Sequence, residues 1–423
     1  MSLRSARAVA VVDLGFGDAG KGALVDFLVR SSGAKLVVRF NGGAQAGHNV
    51  VERSGRHHTF AQFGAGTFAG ARTHLSKHVV VHPTAALVEA EHLASKGVKD
   101  PLSLLSIDPQ ALVVTPFHQA AGRLREIARG DARHGSCGVG VGEVMRVFEE
   151  DELALRVVDL RDVRRARAIL ERLRAALFTS SFSGLDPYEL AAFNPEIAEM
   201  WLERARFFVD RISVRSDEDV AVAKERVVLE GAQGVLLDER FGFHPYTTWS
   251  TCTFDNAREI APDLFALGVV RTYAHRHGPG PLPTETTVLD RFTREPHNDD
   301  GPWQGPFRRG HADLVLARYA RKAVGALDGL ALTHLDAVRR ASEWNVAERY
   351  ASFADLEPGA NLEAQAELTN ALFHAAPTYR TIRGDEDDRV AEIGARFAEA
   401  FDAPLVFESN GPTADAMRLT DDR

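Results

Sequence analysis

Val9-Ala10-Val11-Val12-Asp13-Leu14-Gly15-Phe16-Gly17-Asp18-Ala19-Gly20-Lys21-Gly22 is the stretch on which the reading of the chain turns. Four apolar residues run into a glycine-dense turn. Ala23-Leu24-Val25-Asp26-Phe27-Leu28-Val29 follows, with apolar residues at helical spacing. Strand, glycine loop and helix, in that order, form the setting in which backbone N–H groups and a helix N-terminus hold phosphate. Gly15 and Gly20-Lys21 fit the spacing G-x-x-x-x-G-K, but Gly22 stands where that motif places a Ser or Thr hydroxyl for Mg²⁺. A metal ligand must then come from elsewhere, and Asp18, inside the loop, is the candidate. The same turn also suits plain helix–sheet packing, with Lys21 a surface lysine and Asp18 an N-cap. The rest of the chain has to decide.

The pattern recurs. Lys35 to Phe40 reads as a second strand, running into Asn41-Gly42-Gly43-Ala44-Gln45-Ala46-Gly47-His48-Asn49. In such a loop the backbone can approach a ligand closely, and His48 at its end is a catalytic candidate. Val79 to Val81 and Ala111 to Val114 read as short strands, the second leading to His118, a loop or helix-start histidine. Gly135-Ser136-Cys137-Gly138-Val139-Gly140-Val141-Gly142 is a third glycine loop. Helices are predicted over Ala85 to Ala94, Asp162 to Leu177 with arginines on a solvated face, and 195 to 212 with Ile197, Met200, Trp201, Ala205, Phe208 and Ile212 as the core stripe. The acidic run Glu149-Glu150-Asp151-Glu152 lies near the arginine-rich helix and argues against nucleic-acid binding there.

Further strands are expected at Val227 to Glu230, ahead of Gly231-Ala232-Gln233-Gly234, and at Gly268 to Ala274, ahead of the Pro/Gly loop Arg276 to Glu285. Two more are expected at Ala331 to Asp336 and from Pro404, ahead of Ser409-Asn410-Gly411-Pro412. Pro245 to Thr253 is rich in hydroxyls, and 291 to 311 reads as a polar active-site loop. Strand, loop and helix in repetition predict an α/β fold with a large, mostly parallel sheet and ligands at the carboxyl ends of its strands.

The 423 residues, 45% hydrophobic, allow a sizeable core. A formal charge of -9 argues against general nucleic-acid affinity. Two cysteines suggest no disulfide framework, and Cys137 lacks the companions of a zinc site. Neither a membrane span nor a leader segment is read, so a soluble cytoplasmic protein is expected.

Taken together, the loops resemble those of adenylosuccinate synthetases. Gly17 to Gly22 resembles the family's Gly-Asp-Glu-Gly-Lys-Gly, and Gly42 to His48 its Gly-Gly-His-Asn-Ala-Gly-His. Glu230 to Gly234, Pro245 to Thr248, Gly278 to Glu285, Leu332 to Asp336 and Gly411-Pro412 follow in the family's order. The resemblance spans nearly the whole chain and implies one P-loop-like domain over 1–423, with a helical insertion at about 160–215 and a substrate loop at 291–311. It implies a ligase that joins L-aspartate to C6 of IMP with GTP as co-substrate and one Mg²⁺ per subunit, working as a homodimer. Asp18 would be the base and His48 the stabiliser of the transferred phosphoryl group. Gly17, Gly20, Lys21, Gly22, Gly47, His334, Asp336, Ser409 and Gly411 would lie along the triphosphate. Gln45, Cys137, Gln233 and Thr248, with Asp18, would hold IMP. Asp18 and the Gly47 carbonyl would hold the metal, and Arg308 and Arg309 the amino acid.

This sequence departs from the family at several points. Ala19 replaces a glutamate, Gln45 an asparagine, Cys137 a threonine, and His334 a lysine that runs along guanine. Trp303 to Gly310 replaces a Thr-Thr-Gly segment with several arginines. Those departures raise an alternative, a paralogue acting on dGMP, GMP or an analogue, or using ATP. Phage 2-aminoadenylosuccinate synthetases, similar to the family, tend to lose the catalytic aspartate, whereas Asp18 is present here. A non-catalytic nucleotide-binding protein is the third reading, and the presence of both Asp18 and His48 weighs against it.

Overall fold

The computed structural model describes residues 2–148, 150, 152–221, 225–293, 295, 298, 303, 305–359 and 361–420. Ten strands form one sheet. From edge to edge they are Met417–Leu419, Leu405–Ser409, Gly329–Thr333, Phe265–Arg271, Ala8–Asp13, Val227–Glu230, Leu36–Arg39, Arg72–Leu75, Leu105–Ile107 and Ser213–Val214. Every neighbouring pair is parallel except the first, where Met417–Leu419 returns antiparallel along Leu405–Ser409.

The opening stretch supplies the middle of this sheet. All six residues of Ala8–Asp13 are buried. Side chains alternate along a strand, so Val9 and Val11 enter one hydrophobic core while Ala8, Ala10 and Val12 enter the other. A strand covered on both faces must be apolar throughout, which is why this run lacks polar alternation. Helix Lys21–Ser32 follows at once and packs Leu24, Val25, Leu28 and Val29 into the first of those cores.

Parallel neighbours end at the same edge. The loops after Ala8–Asp13, Leu36–Arg39 and Val227–Glu230 therefore converge, because these strands lie side by side. Pro83–Ser95, Val163–Leu177 and Pro195–Val209 are helices, as the periodicity predicts. In Val163–Leu177 the buried stripe is Ala166, Ile169, Leu170, Leu173 and Leu177, which leaves the arginines on the solvated side.

Several expectations are corrected. Val79 to Val81 and Ala111 to Val114 form isolated bridges rather than strands, Val81 pairing with Val113. The stripe of Pro195–Val209 is Trp201, Leu202, Ala205, Phe208 and Val209, whereas Met200 is 64% exposed. The strand expected to reach Ala274 runs from Phe265 to Arg271, and Ala274–His277 pairs instead with Phe307–Gly310. The strand expected to end at Asp336 ends at Thr333. His334 adopts φ 62, and Asp336 falls in the first turn of helix Leu335–Arg340. Among the described residues no helix is long and apolar enough to cross a membrane.

Candidate active site

The three converging loops touch backbone to backbone. A Cβ at Gly22 would lie 2.4 Å from the carbonyl oxygen of Asn49, and one at Gly234 would lie 2.3 Å from that of Gly15. Gly22 therefore stands where a hydroxyl-bearing side chain has no room beside the second loop. Asp18 adopts φ 50, a left-handed conformation uncommon outside glycine, asparagine and aspartate.

These contacts enclose a cavity of about 430 Å³. Asp18, Lys21, Gln45, Gly47, His48, Cys137, Gln233 and Thr248 all line it, so the cavity collects residues that the sequence spreads over 231 positions, from Gly17 to Thr248. Gly17 lines it as well.

The Asp18 side chain is 34% exposed, and His277 Nε2 lies 3.2 Å from its Oδ2. Burial pushes the Asp18 carboxyl up. The His277 hydrogen bond and the charges of His275, Arg271 and Lys21 outweigh it and hold the group well below the usual carboxylate range. The backbone carbonyl of Asp18 accepts a hydrogen bond from Arg271 Nε at 2.7 Å.

His48 opens the short strand His48–Val51, held against His57–Phe60. Its ring is 5% exposed, and Nδ1–H donates to Glu230 Oε1 at 2.6 Å. Glu230 Oε2 accepts from the Ala65 N–H at 3.0 Å. Burial and the charge of Arg39 bring the His48 ring down to about 4, against the pull of Glu230. The ring is then neutral at pH 7, with Nε2 unpartnered among the described residues. Gln45 Oε1 and both amide atoms of Gln233 are likewise buried and unpartnered there. Buried polar atoms without partners are expensive, which makes these atoms candidate contacts for polar groups of a ligand.

Lys21 is buried. Its Nζ lies 2.8 Å from Asp13 Oδ2 and donates to the Gln233 carbonyl at 2.7 Å. Asp13 also accepts from the N–H groups of Gly15 and Ala19, so one carboxylate organises the first loop. The loop's other flank meets the end of Gly329–Thr333, where Thr333 Oγ1 donates to the Ala19 carbonyl at 2.9 Å and a Cβ at Gly20 would lie 3.5 Å from Thr333. His334 and Asp336 continue from that strand end, and Asp336 pairs with Arg340 at 2.8 Å. Ser409 ends the neighbouring parallel strand and Gly411 follows it, and Ser409 Oγ donates to the Gly411 carbonyl at 3.1 Å. These four residues lie outside the cavity lining.

Arg308 and Arg309 do not line the cavity either. Arg308 donates to Glu285 and, at 2.9 Å each, to the carbonyls of Gly278 and Gly280. Arg309 pairs with Asp290 at 3.2 Å. Of the expected substrate loop at 291–311, residues 294, 296, 297, 299–302 and 304 lie outside the described residues, as do 149 and 151 of the acidic run. Trp303 packs on the third glycine loop, where a Cβ at Gly138 would come within 3.0 Å of its ring.

Asp18 and Gly47 offer hard oxygen donors to one cavity, and a single protein carboxylate suits Mg²⁺, which draws most of its ligands from water and phosphates. Sequence reading missed Asp13, Glu230, Arg271 and His277 as site residues. Three of them share a signal that was available, a lone charged residue closing an apolar strand. His118 is structural, as expected: it completes a capping box with Thr115 at the start of helix Pro116–Arg129.

The family model for adenylosuccinate synthetase matches residues 10–396. An adenylosuccinate synthetase from Caldanaerobacter subterraneus subsp. tengcongensis is 34% identical over 338 residues, covering 77% of each chain. One from Neisseria meningitidis is 28% identical, covering 96% of this chain and 97% of its own. Among solved structures, fully ligated adenylosuccinate synthetase from Plasmodium falciparum superposes with a TM-score of 0.79 at 22% identity, over 97% of this chain and 99% of that one. The cyanophage S-2L succinoaminodeoxyadenylate synthetase, bound to dGMP and dATP, gives 0.58 at 16% identity, over 98% and 95%. With the sequence match spanning most of its length, this chain belongs to the adenylosuccinate synthetase family of C–N bond-forming ligases.

Proposed function

We propose that this protein joins L-aspartate to IMP at the expense of GTP, with Asp18 as the base and His48 opposite it. The observation that carries this reading is that the Asp18 carboxylate and the His48 ring line one cavity together with Gln45 and Gln233, whose side chains hold unpartnered atoms. Asp18 takes the proton from N1 of the 6-oxopurine. The O6 electron pair forms the new bond to the γ-phosphorus of GTP, and the bond from that phosphorus to GDP breaks. The arriving polyphosphate favours a proton on His48 Nε2, which then donates to the charge developing on the transferred group while Glu230 orients the ring. The amine of aspartate then bonds to C6 and loses a proton, and the C6–O6 bond breaks to release phosphate. Positioning and electrostatics supply most of the rate in such transfers.

Gln233 faces the purine. Gln45, Cys137 and Thr248 surround the 5′-phosphate. Lys21, with Gly17, Gly20, Gly22 and Gly47, lies along the triphosphate, whose base reaches His334, Asp336, Ser409 and Gly411. Mg²⁺, held by Asp18 and the Gly47 carbonyl, supplies charge neutralisation at the phosphates when bound. Arg308 and Arg309 take the carboxylates of aspartate after giving up Glu285 and Asp290. The active form is a cytoplasmic homodimer, as is typical of the family.

One observation favours a second reading of the donor. Reading guanine calls for both oxygens of a carboxylate, and Arg340 engages Oδ2 of Asp336. ATP is therefore the alternative donor. The test is a matrix of IMP, GMP and dGMP against GTP and ATP, with Mg²⁺ and aspartate, read as phosphate and succinyl adduct. The reading predicts adduct with IMP and GTP. Phosphate release that needs no purine monophosphate contradicts it.

A further inference from the structure

The His277 imidazole lines the cavity and has no role in the reaction as described above. His277 closes strand Ala274–His277 and lies in register with Phe307 of the antiparallel strand Phe307–Gly310. Its ring meets Phe307 edge-on, with centroids 5.0 Å apart. The following residue is fixed too, since the Gly278 N–H donates to the Pro306 carbonyl at 2.9 Å. His277 is thus built into a two-stranded antiparallel ribbon, and from there its Nε2 reaches Asp18 Oδ2 at 3.2 Å. Arg271 holds the same residue by its backbone carbonyl at 2.7 Å.

We propose that His277 is a positioning residue for Asp18. By donating from Nε2–H to Oδ2 it fixes the carboxylate's rotation and leaves Oδ1 as the oxygen presented to the purine N1. A carboxylate turns freely about its last torsion, and a general base works only within hydrogen-bond reach of its proton. Lys21 Nζ is directed instead to Asp13 Oδ2 and the Gln233 carbonyl. The Nε2–H donor exists in the neutral ring as well as in the charged one, so the role does not require His277 to titrate. The inference rests on the reading of Asp18 as base.

The test measures two quantities on wild type, Asp18→Asn, His277→Ala and His277→Gln. One is steady-state turnover. The other is IMP-dependent scrambling of ¹⁸O between the bridging and non-bridging positions of the GTP β-phosphate, which reports phosphoryl transfer without aspartate. His277→Ala is expected to slow both by about 10- to 100-fold, the range of a misaligned catalytic group, with the KM values for IMP and aspartate within about 3-fold of wild type. His277→Gln restores a donor at similar reach and is expected to recover most of the loss. Wild-type scrambling in His277→Ala overturns the proposal, as does a loss confined to the KM for aspartate. If His277→Ala does not fold, His277→Gln against His277→Leu decides, and equal rates in that pair overturn it. A wild type without IMP-dependent scrambling defeats the parent reading instead, so the two failures are told apart.

Discussion

The two flanks of the cavity use the same pair of side chains in opposite order. On one, the carboxylate of Asp18 faces the cavity and the imidazole of His277 stands behind it, 3.2 Å away and partly open to solvent. On the other, the imidazole of His48 faces the cavity and the carboxylate of Glu230 stands behind it, 2.6 Å away and fully buried. The difference follows from the strands. Glu230 ends a central strand covered on both faces, whereas His277 ends a short strand outside the main sheet. A sealed pair fixes its front residue at a price in desolvation, and an open pair is cheaper and looser. The proposed base therefore sits on the partly open flank and the proposed charge-stabilising group on the sealed one.

Five substitutions break or sharpen this contrast. The largest effect is expected at Asp18→Asn, which removes the base and keeps the shape. Turnover should fall by about 10³-fold or more, with nucleotide binding by calorimetry retained. Retained turnover takes Asp18 out of the base role. His48→Asn should lower kcat by about 10²- to 10³-fold with KM values little changed, the signature of an interaction made mainly in the transition state.

Glu230→Gln tests the rigid flank. It should lower kcat by about 10-fold and, because the site is sealed, also lower stability by about 1–3 kcal/mol in denaturant unfolding. The His277→Gln variant on the open flank should unfold like the wild type. If both variants unfold alike, the contrast between sealed and open pairs is lost. The smallest effect is expected at Arg308→Lys. It should raise the KM for aspartate by about 3- to 10-fold and leave IMP-dependent ¹⁸O scrambling at the wild-type rate.

The sequence made the front residues legible and left the back ones hidden, for a physical reason. Asp18 and His48 lie in glycine loops, where local composition already signals close backbone approach. Glu230 ends an apolar strand, and its partner His48 becomes visible only when parallel strands are set side by side, whereas Asp13 ends another and Lys21 reaches back to it across the first glycine loop. His277 is reached from Asp18 across 259 positions of sequence through the pairing of Ala274–His277 with Phe307–Gly310, which no local pattern announces. The repeated strand, loop and helix made the parallel sheet readable. Short apolar runs such as Val79 to Val81 misled, because burial of Val79 and Val81 in a main core and of Val80 in a small cluster with Val114, Val141 and Val144 asks for apolar residues as a strand does. Asp336 was misplaced on a strand because a single left-handed residue, His334, turns the chain into a helix.

The convergence of Asp18 and His48 on one moving phosphoryl group is tested most directly by a crystal structure with IMP, GDP, Mg²⁺ and nitrate standing in for the group in flight. The account predicts Asp18 Oδ1 within about 2.6–3.2 Å of the purine N1, and His48 Nε2 at the same reach from a nitrate oxygen. A purine bound with its N1 turned away from Asp18, or a nitrate out of reach of His48, contradicts it.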